Sequence, residues 1–501
     1  MNFKLSVLAA LVSFVPTIGS AQYQATHSNA VNVSLTISLE QSGKAPDGYK
    51  PLMSFATASP DFQRVAFTAE NKEKRGGRLA VIDGVQHPEY LIVNDIMFSP
   101  DSKRVMYKAT PAGSQRPKLY LDGKLLDMEH STNELQFTKD SKNFVYVSAG
   151  EVRRARGGTH YELPSSVCWN GSPTKEFSGI TKIRIGGNSK TFSFTAIKNG
   201  TPVVVVNNEV VGRYRELPDF PFTPAPLISP DGKRYAYPVK NGSRWMINVD
   251  GKEGPQSFAK VHAVCFSPDS AHYAFAAEDH IGFRVFQDGN AISEHYQVVY
   301  RPLTYSPDSN KVSAIAKNRS GMTILVNGKS TGQYEEVGHI VFSPNSKKHA
   351  HWATRNGSFF VVLNGVAGKA HSGSGAEPTF SPNSSRLAYT TRLGKESAKK
   401  YQLIVNEKVI DTADEIAGIT FSPNSQMLAY WARDGKQWHL CVDGQRSKES
   451  FTEIVGARPN QIDFEDFVSP PKMMFATNNK LLAVGVQDDT FYKITMQIAA
   501  N

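Results

Sequence analysis

The chain has 501 residues, a formal net charge of +10 at pH 7 and a hydrophobic fraction of 40%. Three cysteines are too few for a scaffold held together by disulfides. The excess of positive charge says nothing about the fold, but it permits attraction to an acidic partner.

Residues 1–21, MNFKLSVLAALVSFVPTIGSA, are predicted to be a signal peptide. An early Lys4, an apolar run and small residues up to Ala21 are typical of such a segment. A membrane helix is the alternative, but Pro16 and Gly19 break the run before it reaches about 20 apolar residues. We therefore expect residues 22–501 to be exported to the periplasm or secreted.

The segment VNVSLTISLE at 31–40 alternates apolar and polar residues, which predicts a β-strand. It precedes a ten-residue phrase that recurs along the chain, for example FSPDSKRVMY at 98–107 and FSPNSSRLAY at 380–389. A spacing of roughly 40 residues indicates a stack of supersecondary units. Aligned on the proline or its replacement, the phrase occurs at Pro60, Pro100, Lys139, Gly187, Pro230, Pro268, Pro307, Pro344, Pro382, Pro423 and Thr477.

Each repeat is predicted to form a four-stranded antiparallel sheet. The phrase ends one strand, turns through Ser-Pro-Asp-Ser and begins a second strand that alternates. After a polar loop, a third strand ends in Asn-Gly or Asp-Gly, which favours a tight hairpin. An aromatic residue such as Tyr90, Phe258 or Tyr334 is expected to begin the fourth strand.

One position of the second strand is small in nine of the eleven repeats, and only Met106 and Val145 depart from this. Small residues at a fixed position indicate sheets that pack closely face to face. Four-stranded repeats of this length that pack face to face are the blades of a β-propeller. The small residues are Ala66, Ser193, Ala236, Ala274, Ser313, Ala350, Ala388, Ala429 and Ala483.

The predicted fold is therefore all-β, with about eleven blades. This number exceeds the four to eight blades of an ordinary ring. Two tandem propellers are favoured, one large ring is the alternative, and the boundary between two rings is not visible. The chain ends in FYKITMQI without a hairpin partner, so the strand at 31–40 is predicted to complete the last blade.

The FSPDS and FSPNS phrases, with the AY that follows, resemble the WD40-like repeats of the TolB type, over nearly all of residues 50–490. This family is found in exported bacterial proteins and in the propellers of prolyl-oligopeptidase relatives. The chain departs from true WD40 repeats because Asp-Gly or Asn-Gly replaces the Trp-Asp pair. The resemblance implies a fold and says almost nothing about function.

The sequence offers little evidence of catalysis. The family's enzymes carry a hydrolase domain, whereas the repeats here run to the end, and no Gly-x-Ser-x-Gly motif occurs. His349 and His351 share one face of a strand, and we expect a hydrogen-bonded pair there rather than a metal site. We predict a protein that is not an enzyme and that has no cofactor and no metal.

Positive charge concentrates in the loops between second and third strands, which should emerge on one end of the propeller. We predict that these cations bind the ligand, because loops on a rigid scaffold commonly carry binding. Basic loops that merely aid solubility are the alternative. The candidate residues are Lys72, Lys74, Arg75, Arg78, Arg153, Arg154, Arg156, Arg244, Arg319, Arg392, Lys399 and Lys400.

The sequence thus favours an exported, non-catalytic binding or scaffolding module for an acidic protein or an anionic envelope glycan. Nucleic acid is not expected as a partner, because the protein is expected to be exported. Two other functions remain open. One is a propeller enzyme, a lyase or hydrolase, with its site at the ring axis, and the other is a purely structural protein of the cell surface.

Overall fold

The computed structural model of the chain describes residues 33–500, apart from 75, 115, 128–130, 150–151, 155–159, 163–164, 181, 215–224, 395–399 and 458–471. The expected signal peptide, residues 1–21, lies outside the described residues. All regular structure in the described ranges is β-strand, and none of their residues forms a helix that could cross a membrane.

The strands form eleven sheets that are the blades of one β-propeller ring. In blades 1 to 10 the chain runs from the first strand of the sheet to the fourth without a crossover. Blade 1 is Tyr49–Ala58, Val65–Asn71, Arg78–Ile82 and Val85–Gln86; blade 2 is Ile92–Phe98, Val105–Thr110, Lys118–Leu121 and Lys124–Asp127; blade 3 is Ser131–Phe137, Phe144–Ala149, Ser165–Trp169 and Ser172–Phe177; blade 4 is Arg184–Ile185, Phe192–Lys198, Thr201–Val206 and Glu209–Arg213.

The middle blades repeat this arrangement. Blade 5 is Leu227–Ile228, Tyr235–Asn241, Arg244–Val249 and Lys252–Glu253; blade 6 is Lys260–Phe266, Tyr273–Glu278, Phe283–Gln287 and Asn290–Ala291; blade 7 is Val298–Tyr305, Val312–Asn318, Gly321–Val326 and Lys329–Ser330; blade 8 is Glu336–Val337 with Val341–Phe342, then His349–Arg355, Ser358–Leu363 and Val366–Ala367.

The last blades include the closure of the ring. Blade 9 is Thr379–Phe380, Leu387–Leu393, Lys400–Val405 and Lys408–Ala413; blade 10 is Glu415–Phe421, Leu428–Asp434, Gln437–Val442 and Gln445–Arg446; blade 11 is Glu453–Val455 with Met473–Thr477, then Lys480–Gln487, Thr490–Ala500 and the N-terminal Val33–Lys44. A small extra hairpin, Val152–Arg154 with His160–Glu162, lies between the second and third strands of blade 3.

The first strand of each blade lies nearest the axis. First strands of neighbouring blades contact one another, as Lys260–Phe266 and Val298–Tyr305 do. The short fourth strands contact mainly the third strand of their own blade and carry exposed residues such as Val85. The small residues predicted in the second strand are at most 1% exposed, and they lie between adjacent sheets, as Ala274 does in the apolar cluster shared by blades 6 and 7.

The repeated phrase both closes a turn and joins two blades. In blade 7 the hydroxyl of Ser306 donates to Asp308 Oδ1 at 2.6 Å and accepts the backbone N–H of Lys311 at 3.0 Å. The N–H of Ser309 donates to the carbonyl of Ser306 at 2.9 Å, which closes the predicted turn. The N–H of Asp308 donates to the hydroxyl of Ser346 in blade 8 at 2.9 Å.

This hydrogen bond between consecutive blades recurs around the ring, so the ring has no gap at which a second propeller begins. Hydrogen bonds of other kinds replace it at the remaining junctions, for example Asn424 N–H to Asn478 Oδ1 between blades 10 and 11. The recurring donor and acceptor residues are Asp61 and Ser102, Asp101 and Ser141, Asp140 and Ser189, Asp231 and Ser270, Asp269 and Ser309, Asn345 and Ser384, and Asn383 and Ser425.

The structure is therefore the single large ring, and a tandem pair of propellers is not shown. Blade 11 meets blade 1 directly, since the N–H of Ala58 donates to the carbonyl of Gly456 at 3.1 Å. The rings of Phe67 and Phe491 also stack across this junction, with centroids 4.1 Å apart. The predicted closure is confirmed, because Val33–Lys44 pairs antiparallel with Thr490–Ala500.

Two details differ from the sequence prediction. The fourth strand follows the Asp-Gly or Asn-Gly turn immediately, and the aromatic residue expected to begin it lies further on. Tyr90, for example, makes an isolated bridge back to Arg78 of the third strand. His351 is completely buried, and neither of its ring nitrogens has a hydrogen-bond partner in the described part of the chain, so the expected histidine pair is not observed.

Candidate functional site

The antiparallel order of strands gives the ring two chemically different ends. The Ser-Pro-Asp turns and the Asp-Gly or Asn-Gly hairpins lie on one end, which we call the turn end. The loops between second and third strands and the connections between blades lie on the other, which we call the loop end. The turn end carries the aspartates of the phrase, and hydrogen bonds from neighbouring hydroxyls keep their pKa values low, as Ser306 does for Asp308.

The candidate cations that the structure describes belong to the loop end, but they are spread over several blades. Lys72, Lys74 and Arg78 belong to blade 1, Arg244 to blade 5, Arg319 to blade 7, and Arg392 and Lys400 to blade 9. Arg75, Arg156 and Lys399 lie outside the described residues. Arg153 and Arg154 are in the extra hairpin of blade 3, and their side chains also lie outside the description.

Three of the candidate cations have acidic partners. Arg78 Nη2 lies 3.0 Å from Glu70 Oε1, Lys74 Nζ lies 3.2 Å from Glu89 Oε1, and Lys400 Nζ lies 3.8 Å from Asp414 Oδ1. Hydrogen bonds from Tyr49 and Lys74 lower the pKa of Glu89, so this carboxylate is ionised at neutral pH. These three cations are therefore at least partly neutralised.

The sequence analysis missed the acidic residues that pair with these cations. Glu89 and Asp414 lie in the connections between blades, and these connections emerge on the same end as the basic loops. Counting charges only in the loops between second and third strands overlooked them. The sequence could have predicted these acids on the loop end, because an antiparallel sheet of four strands places every connection to the next blade on that end.

Other cations of the loop end have no acidic partner among the described residues. Lys72, Lys317 and Arg319 are exposed. Arg244 donates to the carbonyl of Ser257 at 2.9 Å. Arg355 lies over the ring of Tyr334, 4.8 Å from its centroid. These residues keep their positive charge available to a partner.

The axial side of the ring was the place expected for a catalytic site. No group of three or more His, Cys, Asp or Glu residues that could hold a metal ion occurs within the described ranges. A cavity of about 230 Å³ lies along the first strands of blades 4 to 7, with Arg184, Cys265 and Arg301 in its wall. At the start of blade 9, burial among its neighbours raises the pKa of the Glu377 carboxyl to about 7, although part of the side chain remains accessible.

The cysteines form no disulfide. Cys168 and Cys441 are buried and Cys265 is half-buried. Burial raises the pKa of the Cys441 thiol, which makes it a poor nucleophile.

A second cleft, of about 660 Å³, opens on the loop end between blade 9 and the connection to blade 10. Tyr401, Asp414, Glu415 and Arg433 contribute to its wall. It combines an aromatic ring with both signs of charge in one concave place. The sequence analysis did not predict this cleft, because its lining residues are far apart in the chain. They extend from Ser374 to Arg433, more than 50 residues later.

No protein-family model matches the chain, and no curated protein matches it. Similar solved structures include the crystal structure of the eukaryotic initiation factor, with 13% identity and a TM-score of 0.42, covering 82% of this chain and 98% of that chain. TolB from Acinetobacter baumannii has 13% identity and a TM-score of 0.25, covering 67% of this chain and 78% of its own.

The β-propeller domain of the Trilobed protease from Pyrococcus furiosus is also similar, with 12% identity and a TM-score of 0.27, covering 55% of this chain and 94% of that chain. Each of these structures is at most 13% identical to the chain. They do not confirm membership of a TolB-type family, and with TM-scores below 0.5 they carry no argument about function.

Proposed function

We propose that the protein is an exported, non-catalytic β-propeller that binds or scaffolds an acidic macromolecule through its loop end. The partner would be an acidic protein or an anionic glycan of the cell envelope, and the place of action the periplasm or the exterior. Export rests on the sequence of residues 1–21 alone. The absence of catalysis is likewise part of the proposal.

One observation carries this proposal: cations on the loop end are exposed and have no acidic partner among the described residues. On the loop end, Arg244, Lys317 and Arg319 face solvent without an acidic partner among the described residues. On the turn end, several blades carry an ionised aspartate next to the phrase proline. We therefore expect an acidic partner to be attracted to these loop-end cations.

Charge reversal on each end tests the proposal. The loop-end variant combines Arg244→Glu, Lys317→Glu and Arg319→Glu. The matched variant combines Lys124→Glu, Lys252→Glu and Lys329→Glu, which are exposed on the turn end and change the net charge by the same amount. Retention is measured on poly-glutamate and heparin resins as salt is raised, because screening weakens exposed charge pairs.

We expect the loop-end variant to elute at roughly half the salt concentration of the wild type, and the turn-end variant to elute close to the wild type. A stronger effect on poly-glutamate than on heparin would favour an acidic protein over a glycan. Equal losses in both variants would show that only net charge matters, and the proposal would fail. Thermal unfolding of both variants controls for damage to the fold.

A further inference from the structure

The cleft between blades 9 and 10 has the size of a small-molecule site. Its volume of about 660 Å³ lies within the usual range of ligand pockets, roughly 300 to 1,000 Å³. One wall comes from blade 9 through Thr390 and Tyr401, and the other comes from Asp414 and Glu415 at the entry to blade 10. Two sheets held by the ring therefore fix the shape of the cleft.

The charges in the cleft cancel one another. Arg433 donates to Glu415 Oε2 through both Nε and Nη2, at 3.1 and 2.9 Å. Asp414 Oδ1 lies 3.8 Å from Lys400 Nζ. Each carboxylate has a cation beside it, so the cleft suits neither a polyanion nor a cation. A neutral ligand avoids the cost of displacing these pairs.

Polar groups in the cleft retain hydrogen-bonding capacity. Thr390 is only 1% exposed, and its Oγ1 accepts the N–H of Ala376 at 2.6 Å, so it holds in place the segment at Ala376 that lines the cleft. Asp414 Oδ2 accepts the N–H of Gly435 at 2.7 Å, while the ion pair that the described residues give Asp414 Oδ1 is the one to Lys400 Nζ at 3.8 Å. A carboxylate oxygen carries two lone pairs, so Asp414 can accept further hydrogen bonds from a ligand.

The cleft also contains an aromatic ring, that of Tyr401. Tyr401 is half-buried at the edge of the apolar cluster between blades 9 and 10, so its ring is fixed in place beside the polar groups. A sugar ring presents C–H groups on its faces and hydroxyl groups at its edge. The hydroxyls both donate and accept, and the carboxylate of Asp414 in the wall of the cleft can accept from them. An acyl chain would leave the same polar groups unpaired.

We propose that this cleft binds a neutral, hydroxyl-rich ligand, a saccharide of two or more units. Asp414 would hydrogen-bond its hydroxyls and Tyr401 would pack against a sugar face. The inference does not depend on the proposed function, because the cleft is electrically balanced whereas that function uses the unpaired cations.

Binding to an array of neutral oligosaccharides of two to four units, followed by calorimetry with those that bind, tests the proposal. We expect Asp414→Ala and Tyr401→Ala each to weaken binding about tenfold or more, and Tyr401→Phe to bind within about twofold of the wild type. Asp414→Asn keeps the shape of the side chain and removes its charge. It should weaken binding about threefold, and it provides the test if either alanine variant fails to fold.

The chain supplies a matched control for Asp414. Glu335 Oε1 accepts the N–H of Asn356 at 2.9 Å, the same bond to a loop that Asp414 makes to Gly435. Glu335 does not line the cleft, so Glu335→Ala should bind normally. Absence of binding to every oligosaccharide, or equal binding by all variants, would overturn the proposal.

Salt separates this inference from the proposed function. Saccharide binding should change by less than about twofold when sodium chloride is raised to 0.5 M, because it uses no unpaired charge. Retention on poly-glutamate should fall over the same range. Either result can therefore fail while the other holds.

Discussion

His351 is a polar side chain in a position that other blades fill with an aromatic ring. It lies seven residues after the phrase proline, where blade 6 has Phe275 and blade 9 has Tyr389. Its imidazole is completely buried against the ring of Tyr334. Burial lowers the pKa of His351 to about 3, because an imidazolium would lose its hydration there.

This burial predicts a loss of stability in mild acid. The folded-state pKa of about 3 lies below the ordinary value near 6.5, so the unfolded chain binds a proton more readily. The contribution is complete above about pH 6.5 and is lost as the pH falls towards 3. We expect His351→Phe to flatten this dependence by roughly 2 kcal/mol between pH 7 and pH 5. Urea unfolding at several pH values measures it.

The control for this prediction is His280→Phe, which changes an exposed histidine of a loop. His349 lies on the same strand face, and burial together with the charge of Lys311 lowers its pKa as well. The informative quantity is therefore the difference in slope between His351→Phe and the wild type. Identical slopes would show that His351 does not titrate on unfolding in this range.

At the residue scale, the sequence predicted hydrogen bonds within a turn but not hydrogen bonds between residues of different blades. The turn through Ser306 and Asp308 was predicted from residue types at neighbouring positions. The hydrogen bond from Asp308 to Ser346 joins residues that are 38 positions apart, and no local sequence pattern predicts it. Lys400 and Asp414 are only 14 residues apart and flank the cross-strand pair of Tyr401 with Ala413, so the register of one hairpin brings them together.

The strand that closes the ring is the longest in the protein. Val33–Lys44 pairs along its length with Thr490–Ala500, and Lys493 Nζ lies 2.6 Å from Glu40 Oε1. Its two faces differ. Leu35 and Ile37 pack against the apolar cluster of blades 10 and 11, while the side chains between them face solvent. Alternation in the sequence was sufficient to predict this strand.

Because only one face of the closing strand packs against the protein, we expect the stability of the closure to depend on the apolar side chains of that face. The double variant Leu35→Asp and Ile37→Asp should lower the free energy of unfolding by roughly 2 to 4 kcal/mol, because it places charge against apolar side chains. The matched double variant Ser34→Asp and Ser38→Asp adds the same charge to the exposed face and should cost less than about 1 kcal/mol. Chemical denaturation compares them, and equal losses would contradict a closure fixed by packing.

At the scale of the molecule, the sequence predicted the blades but not how many share one axis. Repeat counting gave eleven units, and the structure has eleven blades. Whether these close as one ring depends on a small rotation between neighbouring sheets, summed around the axis. The small residues at Ala236 and Ala274 are compatible with either closure, since they specify contact between two sheets and not the angle between them.

A single ring predicts that half of the chain cannot close by itself. A fragment of residues 45–255 contains blades 1 to 5 and ends in an exposed connection. It would expose Phe67, which stacks on Phe491, and Ile247, which packs against blade 6. We expect this fragment to aggregate or to melt without cooperativity, because a propeller that is not closed leaves apolar sheet faces in water. Scanning calorimetry and light scattering measure these properties.

A circular permutant that is cut at the same position, between residues 255 and 256, is the control. It shows whether an effect comes from the missing blades or from cutting the chain. It begins at residue 256, joins Ala500 to Val33 through a short Gly-Ser linker and ends at residue 255. The linker is feasible because Val33 pairs with Ala500. With all blades present, the permutant should melt cooperatively within about 5 °C of the wild type. A fragment that melts as cooperatively as the permutant would mean that five blades close without the others, and the eleven-blade ring would then be wrong.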